Sequence, residues 1–222
     1  METNIIVKLI VGENAINKLK NKFLVPNELI ENNNTIIFDK NKVKNISMQN
    51  RSTSNSEAFS LGVTSLMGSL ELKDYDGYLF YLTTNKLIGE NVEIQVFDGS
   101  TLLNVFYTTK DWQYSNQNKQ ISIEIKGTTA LFESIEVGGF QYKENIDGVE
   151  LLNSIVGISE NAISSYNTRF AIPPEVVEYL SRFHFDKAFI DSGTIVEMLN
   201  KFCYATLLVI YESAGKIIIE RF

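Results

Sequence analysis

The strongest constraint on this chain is a set of short runs in which apolar and polar residues alternate. Leu70 and Leu72 alternate with Ser69 and Glu71. Val92, Ile94 and Val96 alternate with Glu93 and Gln95, and Ile121, Ile123 and Ile125 alternate with Ser122, Glu124 and Lys126. A period of two puts every second side chain on one face. Each run therefore predicts a strand with one face in a core and the other in water. Turn-forming residues separate the runs: Asp74 to Gly77, Asp98-Gly99-Ser100, and Ser115 to Asn118. Asp98-Gly99, set between residues 92–97 and 101–106, predicts a hairpin. The 14 Phe and 10 Tyr suit strands better than helical bundles. Residues 46–135 are expected to form an antiparallel β-barrel or sandwich.

The flanks have different patterns. Residues 4–11 predict a strand ended by Gly12, and residues 14–23 carry a short helical face of Ala15, Ile16, Leu19 and Phe23. Pro26 and Asn27 break the chain, and residues 35–39 predict another short strand before a polar stretch. Residues 1–45 are thus expected to be an N-terminal strand–helix arm or subdomain. Residues 46–57 hold few apolar side chains and suit a loop or an exposed edge strand. Residues 136–222 predict a small α+β subdomain. Asp147 is the expected N-cap of a helix ending before Gly157. Pro173 and Pro174 start a second helix, and Ser192 is the expected cap of a third, with a stripe of Ile195, Val196, Leu199, Phe202 and Cys203. Strands over residues 207–211 and 216–221 close the chain, turning at Ser213, Ala214 and Gly215. The fold class is α+β, mainly β, and 222 residues accommodate one large domain or two small ones.

The chemistry-bearing residues are few. His184 is the single histidine, flanked by aromatics, and with Asp186 alone it makes no metal set. Cys203 is the single cysteine, so no intrachain disulfide forms, and its place on an apolar stripe marks a core residue. Asp74 and Asp76 resemble the start of a calcium loop, but the glycine comes too early and Asn85 stands where a glutamate belongs. Glu133 and Glu136 are a carboxylate pair without a pocket signal. Gly138-Gly139 is not followed by the Gly-Lys-Ser/Thr of a phosphate loop, and no Gly-x-Ser-x-Gly elbow is present. The expectation is no catalytic residue, no metal and no cofactor. With a net charge of −7, an acidic surface disfavours nucleic acid and anionic membranes. The clusters Lys18, Lys20, Lys22 and Lys40, Lys42, Lys44 suit solvated faces. No run of 18 apolar residues predicts a membrane span, and residues 1–11 lack the basic start of a secretory signal.

Three stretches taken in order resemble the N-terminal part of phage tail and baseplate hub proteins. Phe59, Leu61 and Gly62 with Leu70, Glu71, Asp74 and Gly77 fit the first motif, and Gly89, Val92, Ile94 and Val96 the second. The third is Leu199, Phe202, Cys203 and Ala205 on a helix, then a hairpin with Tyr211 and Gly215-Lys216. The resemblance covers residues 46–222. It implies a barrel of tail-tube type and a structural subunit of a tail tip or baseplate hub, or of a contractile injection device. Such a subunit forms a homo-oligomeric ring, commonly a trimer. The ring continues the tube and joins it to spike, fibres or tape measure, with DNA only passing through the lumen. Residues 46–57 are then expected to lie against a neighbouring subunit. The implied location is the virion, with assembly in the host cytoplasm. Some relatives add an endopeptidase or lysozyme extension and larger hubs a second barrel; with its end at Phe222, the chain is expected to lack the first and possess one barrel. An alternative is a carbohydrate- or receptor-binding β-module using Tyr107, Trp112, Tyr114 and Tyr142. A cell-wall hydrolase is the enzymatic alternative, disfavoured by the missing Cys–His or metal set.

Overall fold

The alternating runs become strands where their pattern places them. The computed structural model describes residues 4–52, 62–133, 135–137, 141–162, 170–190, 193–213 and 215–222. The chain divides into two units, residues 1–49 with 67–127, and residues 50–66 with 128–222.

The first unit uses β1 (Ile5–Ile10), α1 (Glu13–Lys22), β2 (Ile30–Glu31), β3 (Thr35–Phe38), β4 (Val43–Ser52), β5 (Gly62–Lys73), α2 (Tyr78–Thr84), β6 (Glu93–Asp98), β7 (Thr101–Ser115) and β8 (Gln120–Gly127). Of β4 and β5, only residues 43–49 and 67–73 belong to it. The strand order is β5-β8-β7-β6-β1-β3-β2, and β4 also pairs with β5. The pairings of β1 with β3 and β6, of β6 with β7, and of β8 with β7 and β5 are antiparallel. Register puts Leu70 opposite Ile123 and Leu72 opposite Ile121, so one face of β5 and β8 is continuously apolar. Leu70, Leu72, Ile121, Ile123 and Ile125 are fully buried. Ala15, Ile16 and Leu19 of α1 and Leu79 and Leu82 of α2 are buried as well. The Asp98-Gly99 hairpin forms between β6 and β7, with Gly99 at φ 58°, a backbone conformation that favours glycine.

The segment 1–45, expected to stand apart, lies within this sheet: β1 is hydrogen-bonded to β6 on one side and β3 on the other. Val7 and Leu9 are fully buried there, and a six-residue strand reaches that burial only inside a larger sheet. Residues 46–52, expected as a loop or an exposed edge strand that lies against a neighbouring subunit, form part of strand β4, which pairs with β5 of the same chain. Residues 53–57 lie outside the described residues. β4 approaches β5 so closely that a Cβ added at Gly68 stands 1.9 Å from the Ser47 carbonyl oxygen. We predict that Gly68→Ala pushes the two strands apart and lowers stability by about 1–3 kcal/mol, since overpacking costs that much. A urea transition coinciding with that of the parent would refute this.

The second unit takes residues 62–66 of β5 and adds α3 (Thr128–Phe132), β9 (Glu136–Val137), β10 (Gln141–Asp147), α4 (Gly148–Ala162), β11 (Phe170–Ala171), α5 (Pro174–Leu180), β12 (His184–Ile190), β13 (Gly193–Thr194), α6 (Ile195–Thr206), β14 (Leu208–Ser213) and β15 (Lys216–Arg221). Its largest sheet has the order β11-β15-β14-β5, while β10 pairs with β12 and β9 with β13. The closing hairpin forms as the pattern predicts, with Ser213 opposite Lys216. Ile195, Val196, Leu199, Phe202 and Cys203 all enter one core with Leu152, Ile155, Ile210 and Ile219. Thr194 caps α6: its hydroxyl accepts from the Glu197 N–H, and the Glu197 carboxylate accepts from the Thr194 N–H. The expected cap, Ser192, lies outside the described residues.

Asp147 caps α4 by accepting from the Glu150 N–H at 2.8 Å. The helix does not stop before Gly157 but continues to Ala162. An interior glycine costs about 1 kcal/mol, and burial of Leu152, Ile155 and Val156 on the same helix offsets it. The division near residue 135 also differs, because the first unit ends at Gly127 and residues 50–66 belong with the second. Gly62 and Val63 pair in parallel with Val209 and Ile210, a long-range pairing that no local pattern announces.

Candidate functional site

The residues singled out for chemistry are divided between the two units. His184 Nε2 stands 3.6 Å from the Asp186 carboxylate on β12, with both side chains largely in water. Cys203 is buried, and burial pushes its thiol up to about 12, which keeps it protonated and unreactive. Asp74 is buried and accepts from the Leu79 and Phe80 N–H groups at 3.1 and 2.9 Å. It thereby holds the start of α2, a helix the turn signal alone does not announce. Burial raises its pKa, and the backbone bonds partly oppose this. Asp76 instead pairs with Lys42 at 3.2 Å, so the two aspartates face different partners. Glu133 accepts from the Ser65 hydroxyl at 3.3 Å, while Glu136 lies exposed in β9. Among the described residues, no group of three or more His, Cys, Asp and Glu is close enough to hold a metal ion, and no helix is long and apolar enough to cross a membrane. Gly138-Gly139 lies outside the described residues.

The lysine clusters are dispersed. Lys44 pairs with Glu71 at 3.5 Å and donates to Gln120, and Lys20 donates to Asn33. Lys18 and Lys22 are exposed on α1. Of the four aromatics considered for sugar stacking, Tyr107 is 1% exposed and belongs to the core. Trp112 is half-buried, its indole N–H enclosed without an acceptor among the described residues. Tyr114 tilts against Phe80 at 4.5 Å. These three are on β7 of the first unit, whereas Tyr142 is on β10 of the second. Tyr107, being buried, offers no face for stacking.

The structure instead presents apolar surface in each unit. In the first, Ile5, Val43, Ile46, Met48, Val96 and Leu103 line a groove of about 370 Å³ together with Lys40 and Lys44. In the second, α4, β12 and α6 line a cleft of about 170 Å³ with Ile155, Phe185, Phe189, Met198 and Ala205, and Lys201 is its single charged residue among the described residues. Phe189 is 58% exposed and packs against Tyr142, itself 42% exposed, with ring centroids 5.2 Å apart. The Tyr142 hydroxyl donates to Glu144, and that bond raises its pKa. Contiguous apolar surface of this kind marks interaction sites more often than chemistry. Sequence reading passed over Phe189 and Lys201. The available signal was the run Ala188-Phe189-Ile190, which is apolar at every position where alternation would leave one face polar.

No protein-family model matches the sequence, and neither does any curated protein. Solved structures do match. The 43 kDa tail protein of prophage MuSo2 from Shewanella oneidensis aligns with 100% of this chain and 56% of its own, at 13% identity and a TM-score of 0.54. A chain in the lidded Francisella PdpA–VgrG complex aligns with 97% of this chain and 28% of its own, at 11% identity and a TM-score of 0.50. A tail protein from Neisseria meningitidis MC58 aligns with 79% of this chain at 7% identity and a TM-score of 0.47. The chain thus spans about half the length of the prophage protein. Likeness at these identities is a likeness of fold, and the α+β, mainly β fold of this chain is one found in a phage tail protein.

Proposed function

We propose that this chain is a non-enzymatic structural subunit of a phage tail tip or baseplate hub, or of the corresponding part of a contractile injection device. In that role it helps form a ring, a trimer, that continues the tail tube and joins it to spike, fibres or tape measure. The observation that carries this reading is the alignment of the whole chain with the prophage tail protein. The PdpA–VgrG likeness agrees with it. Two physical features also fit. Apolar surface lies open in both units, as an assembly subunit requires. The net charge of −7 suits a lumen along which DNA must slide rather than bind.

The test is to place an epitope tag on the chain in particles made by the encoding genome and to image them with labelled antibody. Label at the tail tip, and tails that fail to assemble when the gene is deleted, are the expected results. Label on fibres, or glycan binding with normal tails after deletion, assigns a receptor-binding role instead. Light scattering of the purified chain is expected to give a trimer, alone or once a tube partner is added. Incubation with purified peptidoglycan is expected to release no fragment above blank.

A further inference from the structure

We infer that the cleft between α4, β12 and α6 is a docking site for an extended segment of another protein, one that carries a bulky apolar side chain next to a carboxylate. The first support is size. A cavity of about 150 Å³ lined by apolar residues takes up benzene, so a cleft of about 170 Å³ accepts one large side chain. The second is charge. Lys201 is exposed, stands among apolar neighbours, and makes no ion pair or hydrogen bond among the described residues. On the ribbon, Glu144 accepts from the Tyr142 hydroxyl and stands opposite Lys187 in the register, and Asp186 lies 3.6 Å from His184 Nε2. The Lys201 ammonium beside this apolar cleft can receive a carboxylate on the incoming chain, and complementary charge at an interface selects partner and register.

The third support separates a chain segment from a small molecule. Phe189, a lining residue, is 58% exposed, and Tyr142, packed against it, is 42% exposed. A small aromatic acid in the cleft meets Phe189 but leaves Tyr142, which is not a lining residue, in water. A peptide that anchors one side chain inside covers the pair with its neighbouring residues, as buried anchors with a surrounding rim do at protein interfaces. The site draws on residues of the second unit alone and does not depend on the tail reading.

The test uses the full chain with isotope-labelled amides and three blocked pentapeptides: Gly-Glu-Phe-Glu-Gly, its Lys-for-Glu counterpart and its Ala-for-Phe counterpart. The acidic Phe peptide is expected to shift the amides of Phe189, Lys201 and Ala205, and to bind about tenfold tighter than either control, a difference of about 1.4 kcal/mol. Lys201→Glu is expected to reverse the charge preference. Ala205→Trp, at an exposed lining position, is expected to plug the cleft and abolish binding with an unchanged melting temperature. Three results overturn the proposal: no binding or indifference to peptide charge; 4-phenylbutyrate binding as tightly as the peptide; or self-association of the chain that Ala205→Trp abolishes, which assigns the cleft to a second copy.

Discussion

Phe132→Ala is expected to lower the stability of the protein by about 3–5 kcal/mol, the range for truncating a buried phenylalanine. Phe132 ends α3, a helix of five residues, and is fully buried. So short a helix gains little from its own hydrogen bonds, and its packing must hold it. The ring stacks on Phe170 with centroids 5.7 Å apart and planes 2° apart. Phe170 in turn belongs to β11, which has two residues and pairs in parallel with β15. Truncating Phe132 therefore opens a cavity in the core that contains α4, α6 and the closing hairpin. Urea unfolding followed by circular dichroism measures the loss. Phe132→Leu, which keeps most of the volume, is expected to lose markedly less; equal losses would mean that the cavity is not the cause.

Glu212→Ala is expected to cost about 3 kcal/mol, because buried donors left without an acceptor cost about 1–3 kcal/mol each and water replaces some of the lost bonds. The Glu212 carboxylate, on β14, accepts from the Thr128 and Thr129 N–H groups at 2.9 and 2.6 Å and from the Thr129 hydroxyl. It ties the closing hairpin to the start of α3. Burial raises its pKa above the ordinary 4.5, against the pull of those bonds. The folded state thus holds the proton at pH values where the unfolded chain has released it. This contribution to stability is complete below about pH 4.5 and is lost as pH rises through the folded-state value. Consequently the cost of Glu212→Ala is expected to be largest in acid and to shrink as pH rises. Parallel urea titrations of the two proteins at several pH values check the sign, and a cost that grows with pH would contradict it.

Neither residue stands out in the sequence. Glu212 looks like the polar member of an alternating strand, and Phe132 follows a Thr-Thr pair that signals nothing. Their importance comes from partners 83 residues away for Thr129 and Glu212, and from a stacked ring on a two-residue strand. What could be read locally was read from period and caps. The stripe of α6, the strands at residues 70–72, 93–96 and 121–125, and the closing hairpin with Ser213 opposite Lys216 depend on near neighbours, and each forms as expected. Gly157 shows a stop signal by composition overridden by the buried side chains of Leu152, Ile155 and Val156 that precede it on the helix.

The candidate site divides in the same way. The poverty of His and Cys is a property of composition and needs no structure. The cleft beside Lys201 needs it, because its lining comes from α4, β12 and α6, which only the fold brings together.

By itself, the sequence determined the fold class, the period of its strands, most of its helices and the closing hairpin, because these follow from which face of a local element is apolar. The tertiary structure alone decided that β1 lies between β6 and β3, that residues 50–66 belong with the second unit, and that an apolar cleft opens beside Lys201. Those outcomes rest on pairing and packing between distant segments. Their free energy depends on geometry that no short window of residues contains.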